Sequence, residues 1–150
     1  GQNAGWSDPE CIREMGKDAE GITSSNVFAL DLAEKKPMIK AVNELYKKRA
    51  NRDLTDNTSR ELMGAIVMLD AINRAGSTDP EAIRKAMVET DLKPDQLILP
   101  WQGVKFGPDG QNVYSNPIMT QWYKGDMVTV WPFEMAKIDF IYPIRPWSER

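Results

Sequence analysis

Gly16-Lys17-Asp18-Ala19-Glu20-Gly21 is the stretch on which the reading of this chain turns. Ahead of it, Ser7-Asp8-Pro9-Glu10 has the grammar of a helix start: Ser7 or Asp8 can cap, Pro9 suits the first helical position, and Glu10 favours the positive end of the dipole. Gly16 can end that helix after about two turns. Cys11, Ile12 and Met15 are carried on it. Beyond Gly21, Ile22-Thr23-Ser24-Ser25-Asn26-Val27-Phe28 reads as a strand. A short helix therefore ends at this run and a strand begins.

Working outward, Leu30 to Lys36 is a polar connection to a helix that opens at Pro37. Met38, Val42, Leu45 and Tyr46 recur at three and four residues and predict its apolar face. A polar stretch from Arg49 to Asp56 separates it from a longer, central helix predicted over about 58–75. Its stripe is Leu62, Ile66, Leu69 and Ile72 or Asn73, widened by Met63, Ala65, Val67 and Met68. Gly76 stops it, and Ser77-Thr78-Asp79-Pro80-Glu81 starts a third helix with Ile83, Ala86 and Met87 facing inward.

From Asp91 the texture changes to prolines with alternating or aromatic runs between them. Gly103-Val104-Lys105-Phe106 followed by Gly107-Pro108-Asp109-Gly110 suggests a strand entering a reversal. Ile118–Tyr123 and Met127–Trp131, joined by Lys124-Gly125-Asp126, predict a hairpin. The proline-spaced end, Tyr142-Pro143-Ile144-Arg145-Pro146-Trp147, is expected to lie extended against the body.

Composition removes several function classes. The 150 residues hold 19 basic and 22 acidic side chains with both signs scattered, so no basic stripe exists for nucleic acid. No apolar run approaches the roughly 20 residues that cross a bilayer, and no charged-then-apolar signal segment opens the chain, so a soluble chain is expected. There is no histidine, which excludes Ser-His-Asp and Cys-His catalysis and His-metal chemistry within this chain. Cys11 is the single cysteine and is expected to be a small buried side chain. Glu20, Asp70 and Asp126 sit in caps, turns or charged faces with no partner placed for acid-base work. The turn at Gly107–Gly110 has too few ligands for a calcium loop. No catalytic residue, metal site or cofactor is expected.

Taken in order, Trp6-Ser7-Asp8-Pro9, the glycine-bounded run 16–21, Pro80-Glu81-Ala82-Ile83-Arg84, Val104-Lys105-Phe106, Asp109-Gly110 and Gln121-Trp122 resemble the C-terminal part of a type I periplasmic solute-binding protein. The leucine/isoleucine/valine-binding and amide-binding proteins of ABC importers are the nearest look-alikes. The motifs are short, and their order and spacing over Trp6 to about Trp147 carry the resemblance. It implies an α/β fold with Rossmann-like lobes, parallel sheets flanked by helices, and a solute cleft between two lobes. In that division residues 1–22 belong to the second lobe, 23–116 to the C-terminal part of the first, and 117–150 return to the second and form the tail. The chain is too short for both lobes, so it is expected either to self-associate or to pair with a missing N-terminal part that supplies partner strands for Ile22–Phe28.

Three places are candidate solute contacts. The loop Gln2–Ser7 precedes a helix start whose free N–H groups attract anions, and Gly5 permits close approach of the backbone. The resemblance makes Gly5 and Trp6 face the ligand, with Ala4 standing where amino-acid binders place an acidic residue for the ammonium group. At the start of the central helix Asn57 or Thr58 could cap. The resemblance places that helix start in the cleft, with Thr58 where branched-chain binders offer an aromatic residue. Thr58 or Arg60 there would suit a polar or anionic solute, though Arg60 with Glu61 reads rather as an ordinary solvated pair. Thr23-Ser24-Ser25-Asn26 is unusually polar for a strand, and Ser25 is its candidate at the cleft edge.

The function implied is that of an importer's binding component, not an enzyme. It would capture a small solute (amino acid, amide or aromatic acid) between lobes and deliver it to an ABC permease in the membrane, from the periplasm or as an extracellular lipoprotein. The departures at Ala4 and Thr58 lean away from a plain branched-chain amino acid. The alternative is a ligand-sensing domain of a receptor or regulator with the same fold.

Overall fold

The computed structural model describes residues 4–149, the side chains of Ala4, Trp6 and Pro9 excepted. Helix α1 (Pro9–Met15) is capped by the Asp8 carboxylate, which accepts the Glu10 amide at 2.9 Å. Gly16, with φ of 55°, ends it, and a 3-10 turn over Gly16–Ala19 leads to strand β1 (Thr23–Asn26), shorter than the expected Ile22–Phe28. Cys11 is only half-buried, its thiol 3.8 Å from the Met15 sulfur, so the expectation of a buried cysteine is corrected.

Helix α2 (Pro37–Ala50) begins where the proline places it and turns Val42 and Tyr46 of the predicted face inward, but centres that face on Ile39. Ile39 is buried and Val42, Asn43 and Tyr46 are half-buried, whereas Met38 and Leu45, the latter 59% exposed, face out. The Asn43 amide sets this rotation. It donates to the Asp53 carboxylate and accepts the Leu54 amide, both at 2.8 Å, tying the inner face to the chain that follows.

Helix α3 (Asp56–Ala75) buries Met63 and Val67 of the predicted stripe but is turned away from Leu69 and Met68. Asp56, Ser59, Met63, Val67 and Ala71 face in, Leu62 and Ile66 are half-buried, and Leu69 is 64% exposed. Small side chains at 59 and 71 let the axis approach the core, where Asp56 meets the Val27 and Phe28 amides. Helix α4 (Pro80–Val88) is capped by Asp79 and stitched to α3 by Arg74, which donates to Ala86 O and Thr90 Oγ1. The main core joins Phe28, Leu32, Ile39, Met63, Leu97, Ile98, Leu99 and Ile118, and a smaller cluster of Ile12, Ala19 and Trp122 lies under α1.

The strands correct the expected parallel sheet. β4 (Ile118–Tyr123) and β5 (Asp126–Trp131) are antiparallel, joined through Lys124 and Gly125 at φ of 53° and 83°, the left-handed pair that a tight hairpin demands. β1 runs antiparallel to β4 with Asn26 opposite Ile118, giving the order β1-β4-β5. β1 therefore finds a partner strand inside this chain. β2 (Asp91–Leu92) and β3 (Val104–Lys105) form a separate antiparallel pair.

Registry sorts the three-stranded sheet into two faces, since opposed residues share one. Ser24, Asn26, Ile118, Thr120 and Trp122 lie on one, and Gln121 and Val128 on the other. The second face takes the C-terminal segment, as expected from its prolines. Gln121 donates to Ile141 O at 3.1 Å and accepts its amide at 3.0 Å. Gly21 completes that seat: its φ is 83°, and a Cβ there would come within 2.6 Å of an Ile144 methyl. Among the described residues no helix is long and apolar enough to cross a membrane.

Candidate functional site

The turn Ala4–Ser7 lies against both β1 and α3, so the elements that carry the three predicted contact regions are neighbours. The end of β1 is the junction between them. Ser7 is buried and its hydroxyl donates to the Asn26 carbonyl oxygen. The Asn26 amide nitrogen, also buried, donates to Thr120 Oγ1 at 2.6 Å and lies 3.3 Å from the Met127 sulfur. Immediately after it, the Val27 and Phe28 amides donate to one Asp56 oxygen at 2.8 and 3.0 Å. The other Asp56 oxygen takes two guanidinium bonds from Arg60, at 3.0 and 2.7 Å. A carboxylate only 1% exposed is tolerable because all four bonds are made.

The predicted residues take different places in this arrangement. Gly5 is exposed, and its carbonyl accepts the Asp8 amide at 3.4 Å. The Trp6 side chain lies outside the described residues. Ser25 is on the strand face opposite Asn26. Asn57 is exposed and does not cap; the cap is Thr55, in a reciprocal box whose other member is Thr58. The Thr55 amide donates to Thr58 Oγ1 at 2.8 Å, which engages the Thr58 hydroxyl locally. Arg60 is half-exposed and pairs with Asp56, not Glu61, which leaves its charge largely compensated. One further polar atom is conspicuous: Ser59 Oγ is fully buried and has no hydrogen-bond partner among the described residues.

Asn26, Asp56 and Ser7 organise this junction; each lies within a predicted candidate stretch, and none was among the residues singled out there. Asp56 follows the capping threonine, so it reads as one more acidic residue in a first turn. The polar run Thr23–Asn26 did signal something polar beside the strand, and its partners prove to be Ser7 and Thr120.

On the far edge of the sheet, Asp31 in the turn Leu30–Glu34 accepts the Thr129 amide and hydroxyl at 2.8 and 2.9 Å. Burial raises its pKa above the usual carboxylate value, against the lowering pull of those two bonds and of Lys137. Lys36 donates to Pro94 O and Leu99 O, and burial lowers its pKa. Among the described residues no cluster of three or more His, Cys, Asp or Glu could hold a metal ion. The chemistry available at the junction is hydrogen bonding, with an Asp–Arg pair beside it.

No protein-family model matches the chain. Leu/Ile/Val-binding protein homolog 8 of Brucella abortus is 31% identical over 94 residues, 62% of this chain and 23% of that protein. Homolog 7 of Brucella suis is 28% identical over 97 residues, 64% of this chain and 24% of its own length. This chain is a partial homologue of the Leu/Ile/Val-binding proteins. It spans about a quarter of the length of those curated relatives. The Leu/Ile/Val-binding proteins are solute-binding proteins, a non-enzymatic family.

The fold agrees. A chain described as a branched-chain amino acid ABC transporter from Silicibacter pomeroyi superposes with a TM-score of 0.70 at 18% identity, over 97% of this chain and 40% of that one. The leucine-binding protein LivK of Thermotoga maritima superposes with a TM-score of 0.65 at 22% identity, over 82% and 33%. The architecture is thus a mixed α/β portion of the type I periplasmic binding fold, in which the sheets of this portion are small and antiparallel.

Proposed function

We propose that this chain is part of the solute-binding component of an ABC importer and contributes contacts to a small solute, an amino acid, amide or aromatic acid, that is handed to a membrane permease. The observation that carries this reading is the polar junction at the end of β1, which sets the turn bearing Gly5 and Trp6 beside the helix bearing Asn57, Thr58 and Arg60. In a chain homologous to Leu/Ile/Val-binding proteins, such a junction is the natural edge of a solute cleft. Backbone amides in the turn and partly exposed polar groups at the helix start suit a small polar solute better than an apolar one. Residues 1–22 and 117–150 would belong to one lobe, and the packing of Ile12 and Ala19 against Trp122 supports that grouping. The middle segment would belong to the other, with β1 at the crossing. A periplasmic or lipid-anchored extracellular location goes with this role.

Exposed apolar surface supports a second element of the proposal, pairing with the remaining part of a clamp or with a second copy. Met68 and Val88 are exposed at a groove of about 390 Å³ between α3 and α4, lined also by Pro80, Ile83, Arg84 and Met87, and Leu69 is exposed elsewhere on α3.

Both elements are tested with the purified chain. L-leucine, acetamide and 4-hydroxybenzoate are titrated separately while backbone amide shifts are recorded. Shifts confined to 4–8 and 55–60 with one of the three are expected; shifts elsewhere, or none with any at millimolar concentration, overturn the solute assignment. Sedimentation of the same sample is expected to show a dimer, and a monodisperse monomer counts against self-association.

A further inference from the structure

The two arms of the proposed site are anchored on one strand end by different chemistry. Asn26 holds the turn Ala4–Ser7 through its side chain, whereas Val27 and Phe28 hold α3 through backbone amides. The side-chain anchor does not stop at Asn26. Its amide nitrogen donates to Thr120 Oγ1, and that hydroxyl donates to Ser24 O at 3.3 Å, so Thr120 links β4 back to β1. Ser7, Asn26 and Thr120 are each no more than 3% exposed, so the links are shielded from water. Thr120 also stands at an irregularity. Met119 opposes Trp131 while Thr120 opposes Thr129, so Val130 is the extra residue of a β-bulge. A bulge re-aims the side chains beside it, and here the neighbour across the ladder is the threonine that receives Asn26.

We propose that the bulge at Val130 with Thr120 and Asn26 forms a positioning relay that sets the turn Ala4–Ser7 from the β4–β5 hairpin. The start of α3 is set separately, through Asp56. This rests on the turn's being an arm of the solute site. It adds that the two arms respond to different parts of the molecule: a change in hairpin geometry moves the turn, and leaves α3 in place.

The test needs no solute, so it fails or succeeds independently of the solute assignment. Backbone ¹⁵N order parameters are measured at 5–8 and at 57–60 in the wild-type chain and in Thr120→Val, Thr120→Ser and Asp56→Asn. Thr120→Val keeps the shape and removes the hydroxyl. It is expected to lower the order parameters at 5–8 from about 0.85 to below about 0.6 and to leave 57–60 unchanged. Thr120→Ser is expected to restore them, and Asp56→Asn to give the reverse pattern. Ser7→Ala cuts the last link at the periphery and carries the test should Thr120→Val not fold; it should loosen the turn alone. An ordered turn in Thr120→Val or Ser7→Ala, or equal loosening of both arms, overturns the relay.

Discussion

The core under α2 and α3 and the junction at the end of β1 are buried to the same degree and are held by different forces. Phe28, Ile39, Met63 and Leu97–Leu99 exclude water with apolar volume, and any arrangement that fills the space well will serve. Ser7, Asn26, Thr120 and Asp56 are as deeply placed, yet each needs a named partner at hydrogen-bond distance. The first region supplies most of the stability. The second decides which loop sits beside which helix, because a buried polar group left without its partner is costly in every other arrangement. Phe28 belongs to both, with its ring in the core and its amide on Asp56.

Breaking the apolar side should have the largest effect. Phe28→Ala is expected to cost about 3–5 kcal/mol, read from urea unfolding, because it leaves a cavity among packed neighbours. A cost below about 1 kcal/mol would mean that the core is not close-packed there. Asp56→Ala comes next, at about 2–4 kcal/mol, since the buried Phe28 amide and the part-buried Val27 amide lose their acceptor. Asp56→Asn keeps one acceptor oxygen and should recover part of the loss. If Asp56→Leu instead matches the wild type, volume governs the junction as well and the contrast fails.

The smallest effect sharpens the comparison through pH. Asp31 has its folded-state pKa raised by burial above the ordinary 3.8, so the folded chain holds that proton more tightly than the unfolded one. Its contribution to stability is therefore fully present below the unfolded value and is lost as pH rises through the folded value. Asp31→Asn should flatten the stability profile over that acidic window, measured as the unfolding midpoint against pH. A wild-type profile that rises across the same window more steeply than the variant's would reverse the sign and show that the Thr129 bonds outweigh burial.

Much of the local structure was legible in the residues. Asp8-Pro9 and Asp79-Pro80 started helices where proline at the first position costs nothing, Gly16 and Gly76 stopped them, and Lys124-Gly125 closed the hairpin. The rotation of α2 and α3 was legible only in part. Both helices carry more apolar residues than one face can bury, so Leu45 and Leu69 compete on equal terms with Ile39 and Met63 until Asn43 and Asp56 find partners. The candidate site was read in part. The turn Ala4–Ser7 and the start of α3 lie beside each other at the end of β1, and the polar run ending in Asn26 signalled a polar neighbour, but that Asn26 and Asp56 hold the two together was not readable from the residues.

By itself, then, the sequence determined where elements begin and end, because proline, glycine and capping side chains act on backbone within a few residues of themselves. It also determined the kinship with Leu/Ile/Val-binding proteins through motif order. Only the tertiary structure decided the direction of the strand pairing, the faces of α2 and α3 that turn inward, and the meeting of Ser7, Asn26 and Thr120. Those outcomes depend on groups far apart in the chain, such as Asn26 and Thr120 at 94 residues' separation, and the free energy of a buried polar group is set by whichever partner reaches it.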